Sequence, residues 1–528
     1  MFKDAVRSTM ICLGLHLVFM PAAAADAVQV AAWNEQLAAI DAQIQAQGLE
    51  PTQTVSGQAA AKIVPGVTAS LLEQKRQILA SAGFTRFASV NSYSNFYSFT
   101  SQNGYTDTQV RIVEATAPLQ LLRRGNHQNA NEITQGYLGS WWSPVYYSVE
   151  DSRNRQAILR QWGSDLQDIY VVSVPAVTLL VAGDASPMSQ NGEYRSGGAY
   201  QYWKRSGQSE NTLNWLVYAL YAPNYLNSYS QALVGAQRLG RAAVSDISQH
   251  LAELRMQNPG NAALWSQTYG QGGAYRTEEG TLLHSQAYGW HVGWDRPLKT
   301  QSGQAASWGV VVGQGRGGLR QSDSGVTSQM AVNYGGLYGM RRSGEESRSA
   351  YWQGVFLYGH IDFDNQVPGY SGYGLRQRYG GAMTAVSLEH GLTLRRTSQL
   401  TVEPQLQFLY TASRHGEFTD NLGALVSVGQ GASLQGRAGV EIRKEVALDA
   451  KRKQKMWLRG DYVREFQGDT TALVSGEETR QSGGRSSYRL SLGGTLALAG
   501  NWRLAGEVVQ SFGGERGCRG QWELSKYW

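Results

Sequence analysis

The stretch QLTVEPQLQFLYTAS, residues 399–413, alternates apolar and polar side chains over most of its length. Successive side chains of a β-strand point to opposite faces, so this order separates an apolar face from a polar one. The apolar face comprises Leu400, Val402, Pro404, Leu406, Phe408 and Tyr410, and the polar face comprises Thr401, Glu403, Gln405 and Gln407. The stretch therefore predicts a strand that contacts an apolar medium on one side and a polar medium on the other.

The same alternation recurs in SLQGRAGVEIRKEV at 433–446 and in SYRLSLGGTLAL at 487–498. A soluble antiparallel sandwich would alternate as well. Charges on the polar faces and aromatic residues near the strand ends favour a membrane barrel with a wet lumen instead. Strands of about 9 to 11 residues, joined by turns or loops of similar size, give roughly 12 strands between Trp265 and Trp528. Glycines inside them, such as Gly293, leave space beside bulky partners.

Length and composition agree with a chain that contains a large amount of β-structure. A chain of 528 residues exceeds one ordinary core, which predicts two or three folded units. The 28 tyrosines, 15 tryptophans and 62 glycines, with only 17% charged residues, favour strands and tight turns. The net charge of +6 is spread along the chain without a long basic run, so no nucleic-acid partner is expected.

The N-terminus predicts export from the cytoplasm. Lys3 and Arg7 precede an apolar run from Met10 to Met20, and a tract of small residues ends near Ala25. This is the layout of a secretory signal peptide at residues 1–25. The apolar run is too short for a spanning helix, which needs about 20 residues.

Few residues support thiol, metal or hydrolase chemistry. Cys12 leaves with the signal peptide, so Cys518 is the only cysteine expected in the mature chain, which excludes an intramolecular disulfide and a cysteine zinc site. No His-Glu-x-x-His motif is present, and no metal site is predicted. His127 is the only histidine between the signal peptide and residue 241, without a Gly-x-Ser-x-Gly motif near it, so an esterase or protease is disfavoured.

A series of C-terminal segments carries a resemblance to a known family. The segments are LWSQTYGQ at 264–271, YGWHVGWD at 288–295, WGVVVGQGRGG at 308–318, YGGLYGM at 334–340, AYWQGVFLYGHIDFDN at 350–365, VSLEHGLTL at 386–394 and SLQGRAGVEI at 433–442. In order and spacing they resemble the translocator of type V autotransporters. The resemblance implies a twelve-stranded outer-membrane barrel with a helix through its pore, and an N-terminal passenger that the barrel carries to the cell surface.

The same resemblance implies partners for the barrel. Outer-membrane lipid would surround it, and the barrel-assembly machinery would read the last strand, QWELSKYW at 521–528. In that strand Trp522, Leu524 and Trp528 alternate with polar residues and are expected on the lipid side. The expected fold class is thus an α+β passenger followed by an all-β antiparallel transmembrane barrel.

The segment AAVSDISQHLAELRMQ, 242–257, is the candidate for the helix in the pore. Val244, Ile247, Leu251 and Leu254 recur at the three-to-four spacing of one helix face. An ordinary packed helix would show the same spacing, but its place just before the first barrel strand favours the pore. No Asn-Asn pair stands there as an obvious cleavage position.

The passenger shows no repeat of a β-solenoid, which predicts a compact head. The segments 31–48 and 68–84 have amphipathic spacing and end at Gly48 and Gly83, where helices often stop. The expected organisation is a signal peptide (1–25), a helical part (26–100), an α+β head (101–210), a linker with the pore helix (211–260) and the barrel (261–528).

Four segments between residues 105 and 203 suggest an activity. They are TQVRIVEA at 108–115, GYLGSWWSPVYYSVEDSRNRQAIL at 136–159, IYVVSVPAVTLLVAGDASP at 169–187 and GEYRSGGAYQYW at 192–203. In this order they resemble TNT-type NAD glycohydrolases, relatives of ADP-ribosyltransferases that cleave nicotinamide from NAD. The resemblance implies a toxin for which NAD is the substrate, with no bound cofactor.

Residue by residue, the resemblance implies a catalytic set of Arg111, Arg155 and Gln201. It implies a binding set of Ser140, Trp141, Trp142, Gly197 and Gly198. Arginines can grip a pyrophosphate in a bidentate way, the tryptophans can stack on a base, and Gln201 can orient water or the ribose. The alternative is a non-catalytic adhesin whose aromatic and polar residues bind host surfaces.

Overall fold

The structure is a computed structural model that describes residues 27–46, 66–84, 110–127, 138, 141–185, 188–190, 192–204, 212–255, 262–278, 280–298, 300, 304–344, 347–397, 399–447, 453–482, 486–498 and 501–527. The predicted signal peptide lies outside these residues. The chain divides into two compact units. The first, named the head, comprises Met1–Gln120, Ser140–Trp142 and Ser173–Gln208, and the second, named the barrel unit, comprises Leu121–Gly139, Ser143–Val172 and Ser209–Trp528.

The first elements belong to the N-terminal region and the pore helix. The helices are α1 (Ala27–Ala46), α2 (Gly66–Ser81), α3 (Val149–Arg155) and α4 (Ala222–Arg255), the last named the pore helix. The strands are β1 (Arg111–Glu114), β2 (Leu119–Gly125), β3 (Trp141–Trp142), β4 (Asp168–Val174), β5 (Leu179–Asp184), β6 (Met188–Gln190), β7 (Glu193–Arg195), β8 (Tyr200–Lys204) and β9 (Leu216–Tyr221).

Sixteen further strands are described from Ala263 onward. They are β10 (Ala263–Arg276), β11 (Leu282–Leu298), β12 (Gln304–Gln321), β13 (Thr327–Gly344), β14 (Arg348–Val367), β15 (Leu375–Arg395), β16 (Leu400–His415), β17 (Phe418–Thr419), β18 (Leu425–Val426), β19 (Gln430–Ala447), β20 (Lys453–Gln467), β21 (Asp469–Val474), β22 (Glu477–Ser482), β23 (Ser487–Ala497), β24 (Trp502–Gly513) and β25 (Glu515–Tyr527). Short 3-10 turns occur at Arg160–Trp162, Thr212–Trp215 and Tyr370–Gly372.

Twelve of these strands close into an antiparallel barrel, as the sequence predicted. The order runs from β10 to β16, then through β19, β20, β23 and β24 to β25, which pairs back with β10. In β16, Leu406, Phe408 and Tyr410 are exposed on the outside, whereas the alternate residues Glu403 and Gln405 are buried inside. Full closure leaves no unpaired strand edge, which is the condition for crossing lipid.

The two ends of the barrel differ in their connections. On the side of Ala263 and Tyr527, the strands are joined through 299–303, 345–347, 396–399, 448–452 and 498–501. The opposite end has the two longest connections, 416–429 and 468–486, which include the short strands β17, β18, β21 and β22. Outer-membrane barrels carry short turns on the periplasmic side and longer loops outside. The end with β17, β18, β21 and β22 is therefore extracellular.

Large lumen-facing rings lie over glycines of the neighbouring strand. Trp265 of β10 pairs with Gly293 of β11, and a Cβ at Gly293 would lie 2.4 Å from the indole. Trp457 of β20 covers Gly493 of β23 in the same way. The missing Cβ gives the ring a place to lie flat on the sheet, a packing that fixes register in twisted strands.

The pore helix crosses the barrel and has 34 residues, or about 51 Å at 1.5 Å per residue. It begins at Ala222, twenty residues before the predicted start at 242. The hydroxyls of Tyr225 and Tyr229, near its first turn, donate hydrogen bonds to Asp420 in an extracellular loop. These distant partners stabilise the extra turns. No helix among the described residues is long and apolar enough to span a bilayer.

The head contains a four-stranded sheet in the order β1-β5-β8-β3. The predicted helices at 31–48 and 68–84 correspond to α1 and α2, and Gly83 takes the left-handed φ of 88° just after α2. The side-chain amide of Asn34 bonds to the backbone of Ile112 in both directions, at 2.8 and 2.9 Å, and so covers the free edge of β1. Leu37, Leu79 and other apolar residues of the helices pack in one core with this sheet.

A second sheet of three strands, in the order β2-β4-β9, is named the base sheet. Its residues fall in the barrel unit, except for the end of β4 beyond Val172 and for Leu119 and Gln120 of β2. β9 leads directly into the pore helix at Ala222. The base sheet thus connects the extracellular loops of the barrel with the polypeptide that precedes them.

Candidate functional sites in the pore and in the head

The pore helix is matched in charge to the last strand of the barrel. Three residues of β25 face the lumen at intervals of four residues. Each of them contacts a residue of the pore helix to which it can form a charge-assisted hydrogen bond. The pairs are Arg238 with Glu515, Asp246 with Arg519, and His250 with Glu523. The pairs follow the same order along both elements. The helix therefore holds the strand that closes the barrel at three levels.

His250 joins the two strands on either side of β10. Its Nδ1 lies 2.9 Å from Glu523 of β25, and its Nε2 lies 2.9 Å from Asp295 of β11. Its ring stacks on Trp265 of β10 with 4.1 Å between the centroids. All three polar side chains are buried. A single residue of the helix thereby ties three adjacent strands together at the point of closure.

Two arginines tie the helix to strands further round the barrel wall, β19, β20 and β16. Arg241 donates to Glu465 of β20 at 3.1 Å and to Ser433 of β19 at 2.9 Å. At the periplasmic end Arg255 lies 3.2 Å from Glu403. Taking one partner from a buried ion pair leaves an uncompensated charge and costs about 3–5 kcal/mol. These contacts make the helix a plug that is costly to withdraw.

In the head, the structure places Arg111 and Gln201 in one sheet but on opposite faces. Arg111 of β1 pairs with Ala182 of β5, whereas Gln201 of β8 pairs with Gly183, the next residue of β5. Adjacent positions of a strand point to opposite faces. The guanidinium of Arg111 donates to Asp41 of α1 at 2.7 Å. Gln201 is buried, 5% exposed.

The predicted binding residues surround β8. Trp141 and Trp142 form β3 and pair with Trp203 and Tyr202 of β8. Gly197 and Gly198, just before β8, have left-handed φ angles of 68° and 89°. A residue with a side chain would be strained there. Gly198 donates its N–H to the carbonyl of Ala185 at 2.7 Å, and this bond closes the turn into the strand. Ser140 lies outside the described residues.

Arg155, the third predicted catalytic residue, stands in the barrel unit rather than in the head. It ends α3, and its guanidinium lies over the ring of Tyr147, 5.1 Å from the centroid. The helix begins with a side-chain cap, in which Ser148 accepts the N–H of Asp151 at 3.0 Å. Arg155 is therefore held by a cation–π contact of its own unit.

The face of the sheet that carries Arg111 holds further polar residues that the sequence analysis missed. Tyr200 and Tyr202 of β8 lie on it edge to face, with 5.4 Å between the centroids, and Asp184 pairs with Tyr200. Burial raises the pKa of Asp184. Burial, with the charges of Tyr202 and Asp184, also raises the pKa of Tyr200. Two features of the sequence could have indicated these residues: the alternation of side chains in YQYW at 200–203, and the carboxylate that ends β5.

Comparisons with known proteins agree with the barrel. The autotransporter beta-domain family model matches residues 264–509. The pertactin autotransporter of Bordetella parapertussis is 25% identical over 267 residues, or 50% of this chain and 28% of its own length, so the chain spans less than a third of that relative.

Two solved structures are also similar. The beta domain of the Bordetella autotransporter BrkA is 17% identical, with a TM-score of 0.41, and covers 50% of this chain and 98% of its own. A chain in the structure of Tne2 in complex with Tni2 is 21% identical, with a TM-score of 0.17, and covers 20% of this chain and 84% of its own.

The closed twelve-stranded barrel, the helix that crosses it and the family match converge on one assignment. Such barrels lie in the outer membrane, and the region before the pore helix is the part that they export. Residues 264–509 therefore match the autotransporter beta-domain family in sequence and form a closed barrel with a helix inside, and the protein is located in the outer membrane, with its N-terminal region at the cell surface or secreted.

Proposed function

We propose that the protein displays its own N-terminal region on the cell surface and keeps it attached through an intact pore helix. The observation that supports this is the set of ion pairs from Arg238 to Arg255 that holds the helix against β25, β20 and β16 of the barrel. A segment bound in this way is a stable final state of export. The barrel does no chemistry of its own in this proposal.

The test is the fate of the full chain in the outer membrane. An epitope placed after residue 46 should be accessible to antibody on intact cells, and the protein should migrate as one band after denaturation. A passenger found in the medium, with a new chain end inside the pore helix, would contradict retention. A chain that carries the epitope in a periplasmic turn at 345–347 is the matched control for cell integrity.

A second function, NAD hydrolysis by the exported region, is supported by the turn before β8. The left-handed Gly197–Gly198 pair leads into a strand that carries the buried Gln201, which is the local shape that the resemblance implies. In this proposal Gln201 orients the attacking water or the ribose, whereas Arg111, on the opposite face of the sheet, and Arg155, in the barrel unit, are not assigned to the same site. Trp141, on the same face of the sheet as Gln201, and the two glycines before β8 form the binding surface, and NAD is the substrate.

Cells that display the full chain should then release nicotinamide from added NAD. Replacing Gln201 by Ala should lower the rate by about 10²-fold or more, the usual contribution of a positioned polar catalytic group. Gln36→Ala, at an exposed glutamine of α1, is the matched control.

Wild-type cells without turnover would contradict the enzyme proposal. If the same displayed chain then bound host cells or matrix, the alternative of a non-catalytic adhesin would replace it. Accessibility of the epitope in each variant shows whether a loss of turnover reflects loss of display.

A further inference from the structure

The base sheet and the extracellular loops of the barrel share one hydrophobic core. Leu122, Ile169 and Val171 come from β2 and β4, and they cluster with Val367, Leu422 and Val474 from the barrel side. All six are buried, with at most 6% exposed. The exported polypeptide and the barrel are thus joined at this point by side-chain packing as well as by the covalent chain.

A buried ion pair fixes β2 to the extracellular hairpin of β21 and β22. Arg124 of β2 donates to Glu477 of β22 at 2.5 Å, and the two side chains are 4% and 17% exposed. The hydroxyl of Tyr146 accepts from Arg124 at 2.6 Å and donates to the same carboxylate at 2.8 Å. The N–H of Val149 donates to the other carboxylate oxygen at 3.1 Å. Burial raises the pKa of Tyr146, which keeps its hydroxyl a donor.

A second polar cluster fixes β4 to the loop between β14 and β15. The hydroxyl of Tyr370 in that loop donates to Asp168 of β4 at 2.6 Å. The hydroxyl of Tyr170 donates to the other oxygen of Asp168 at 3.1 Å, and Nδ1 of His127 lies 3.0 Å from the first. Asp168 is fully buried. The carbonyl oxygen of Tyr373, in the same loop, also accepts a hydrogen bond from the N–H of Ala219 in β9.

The order of the strands along the chain gives these contacts a consequence. β2 and β4 precede the connection between β8 and β9, whereas β9 and the barrel follow it. Residues from Asp168 to Val172 of β4 pair with residues from Tyr221 to Leu216 of β9. A cut between β8 and β9 therefore separates two polypeptides that remain joined by a sheet, a core and two buried polar clusters.

We propose that the base sheet is a non-covalent anchor whose partner is this protein's own N-terminal fragment. After a cut between β8 and β9, that fragment stays bound to the extracellular loops through β2 and β4. The proposal rests on the proposed surface display, since the anchor can act only on a passenger that has been exported. Cleavage and release of the passenger are then separate events.

A specific protease site inserted between residues 204 and 212 tests the anchor in the full chain on intact cells. After complete cleavage, verified on a denaturing gel, the N-terminal fragment should remain with the cells. Glu477→Ala together with Asp168→Ala should raise its rate of release on the order of 10²-fold or more, because each change strips a partner from a buried polar cluster. Arg376→Ala, which breaks an exposed ion pair of the barrel with Asp364, is the matched control.

Each outcome is decisive for one proposal. Immediate loss of the wild-type fragment on cleavage, from cells whose epitope was accessible beforehand, would overturn the anchor and leave surface display intact. An inaccessible epitope on uncut cells would overturn surface display itself. Equal release from the double variant and the control would show that the two polar clusters do not hold the fragment. Resistance of each folded barrel to denaturation on a cold gel verifies that the variants assemble.

Discussion

Replacing Arg519 by Met would remove the cation that pairs with Asp246 inside the pore. Asp246 is fully buried and Arg519 is 11% exposed. Two opposite charges about 3 Å apart attract by about 5.5 kcal/mol at an effective dielectric constant near 20. Breaking a buried pair costs about 3–5 kcal/mol in measured cases. We therefore expect Arg519→Met to lower the free energy of unfolding of the barrel by about 3–5 kcal/mol.

The double variant Asp246→Leu with Arg519→Met should be much closer to the wild type. It removes both charges, so no buried charge is left without a partner, and such replacements are often neutral. Arg376→Met is the matched control, because its guanidinium pairs with Asp364 outside the barrel and is 53% exposed. We expect this control to leave the unfolding free energy unchanged.

The assay is refolding of the purified chain into lipid vesicles, followed by unfolding in a urea series. Folded and unfolded barrel are separated by gel mobility without heating, and the free energy is extrapolated to water. A double variant as unstable as Arg519→Met would refute the reasoning, because it would show that the two residues do not act as a pair. Equal stability of Arg519→Met and the control would refute it as well.

Three further results are expected. Gly293→Val should reduce the fraction of folded barrel in the same assay, since a Cβ would collide with Trp265, whereas Gly270→Ala, where a Cβ would meet open space, should not. Leu406→Arg should cost about 2–4 kcal/mol in vesicles if β16 faces lipid near the bilayer midplane, and no cost would place that face elsewhere. Asp184→Asn should stabilise the head against heat relative to wild type by an amount that grows as the pH rises from the ordinary pKa of an aspartate to the raised pKa of this carboxyl and is constant above it, because burial disfavours the charged form; a pH-independent difference would contradict this.

The barrel could be predicted from the sequence because its signal is local. Within β16, the identity of each residue reports the medium that it faces, lipid for Phe408 and lumen for Glu403. The same holds for β25, where Trp522 is 61% exposed and Glu523 is buried, although Trp528 lies outside the described residues. The faces of a strand can therefore be predicted without knowing which strand pairs with it, and the number of strands follows from the length of the barrel region alone.

The pore helix was predicted only where its own spacing is amphipathic. Its first part contains Tyr, Asn, Ser and Gly, which are poor helix formers, and its stability comes from other parts of the chain. Tyr225 bonds to Asp420, 195 residues away in sequence, and Asp246 bonds to Arg519, 273 residues away. Contacts of this range leave no local pattern, so neither the start of the helix nor its charge pairs could be predicted.

For the candidate site in the head, the sequence predicted which residues take part but not how they are arranged in space. Arg111 and Gln201 stand on strands separated only by β5, but their faces depend on a register that the sequence does not encode locally. The ion pair of Arg111 with Asp41 was missed because the two residues are 70 positions apart in the sequence. The left-handed Gly197–Gly198 turn was the part that the residues themselves indicated.

The charges of the pore helix also select the register at which it stops in the barrel. From residue 211 to 237 the sequence has no Asp, Glu, Lys or Arg, so this stretch offers the lumen no ion pair in any position. Moving the helix by one turn of about 5.4 Å in one direction would place Ala242 at Glu515, His250 at Arg519 and Leu254 at Glu523. Moving it in the other direction would place Val234 at Glu515, Ala242 at Arg519 and Asp246 at Glu523. All three pairs are lost in either case, and the second shift also brings two carboxylates together. Because each broken buried pair costs about 3–5 kcal/mol, the observed register is strongly favoured over its neighbours, and a chain that moves through the pore meets its deepest minimum when residues 238–255 arrive.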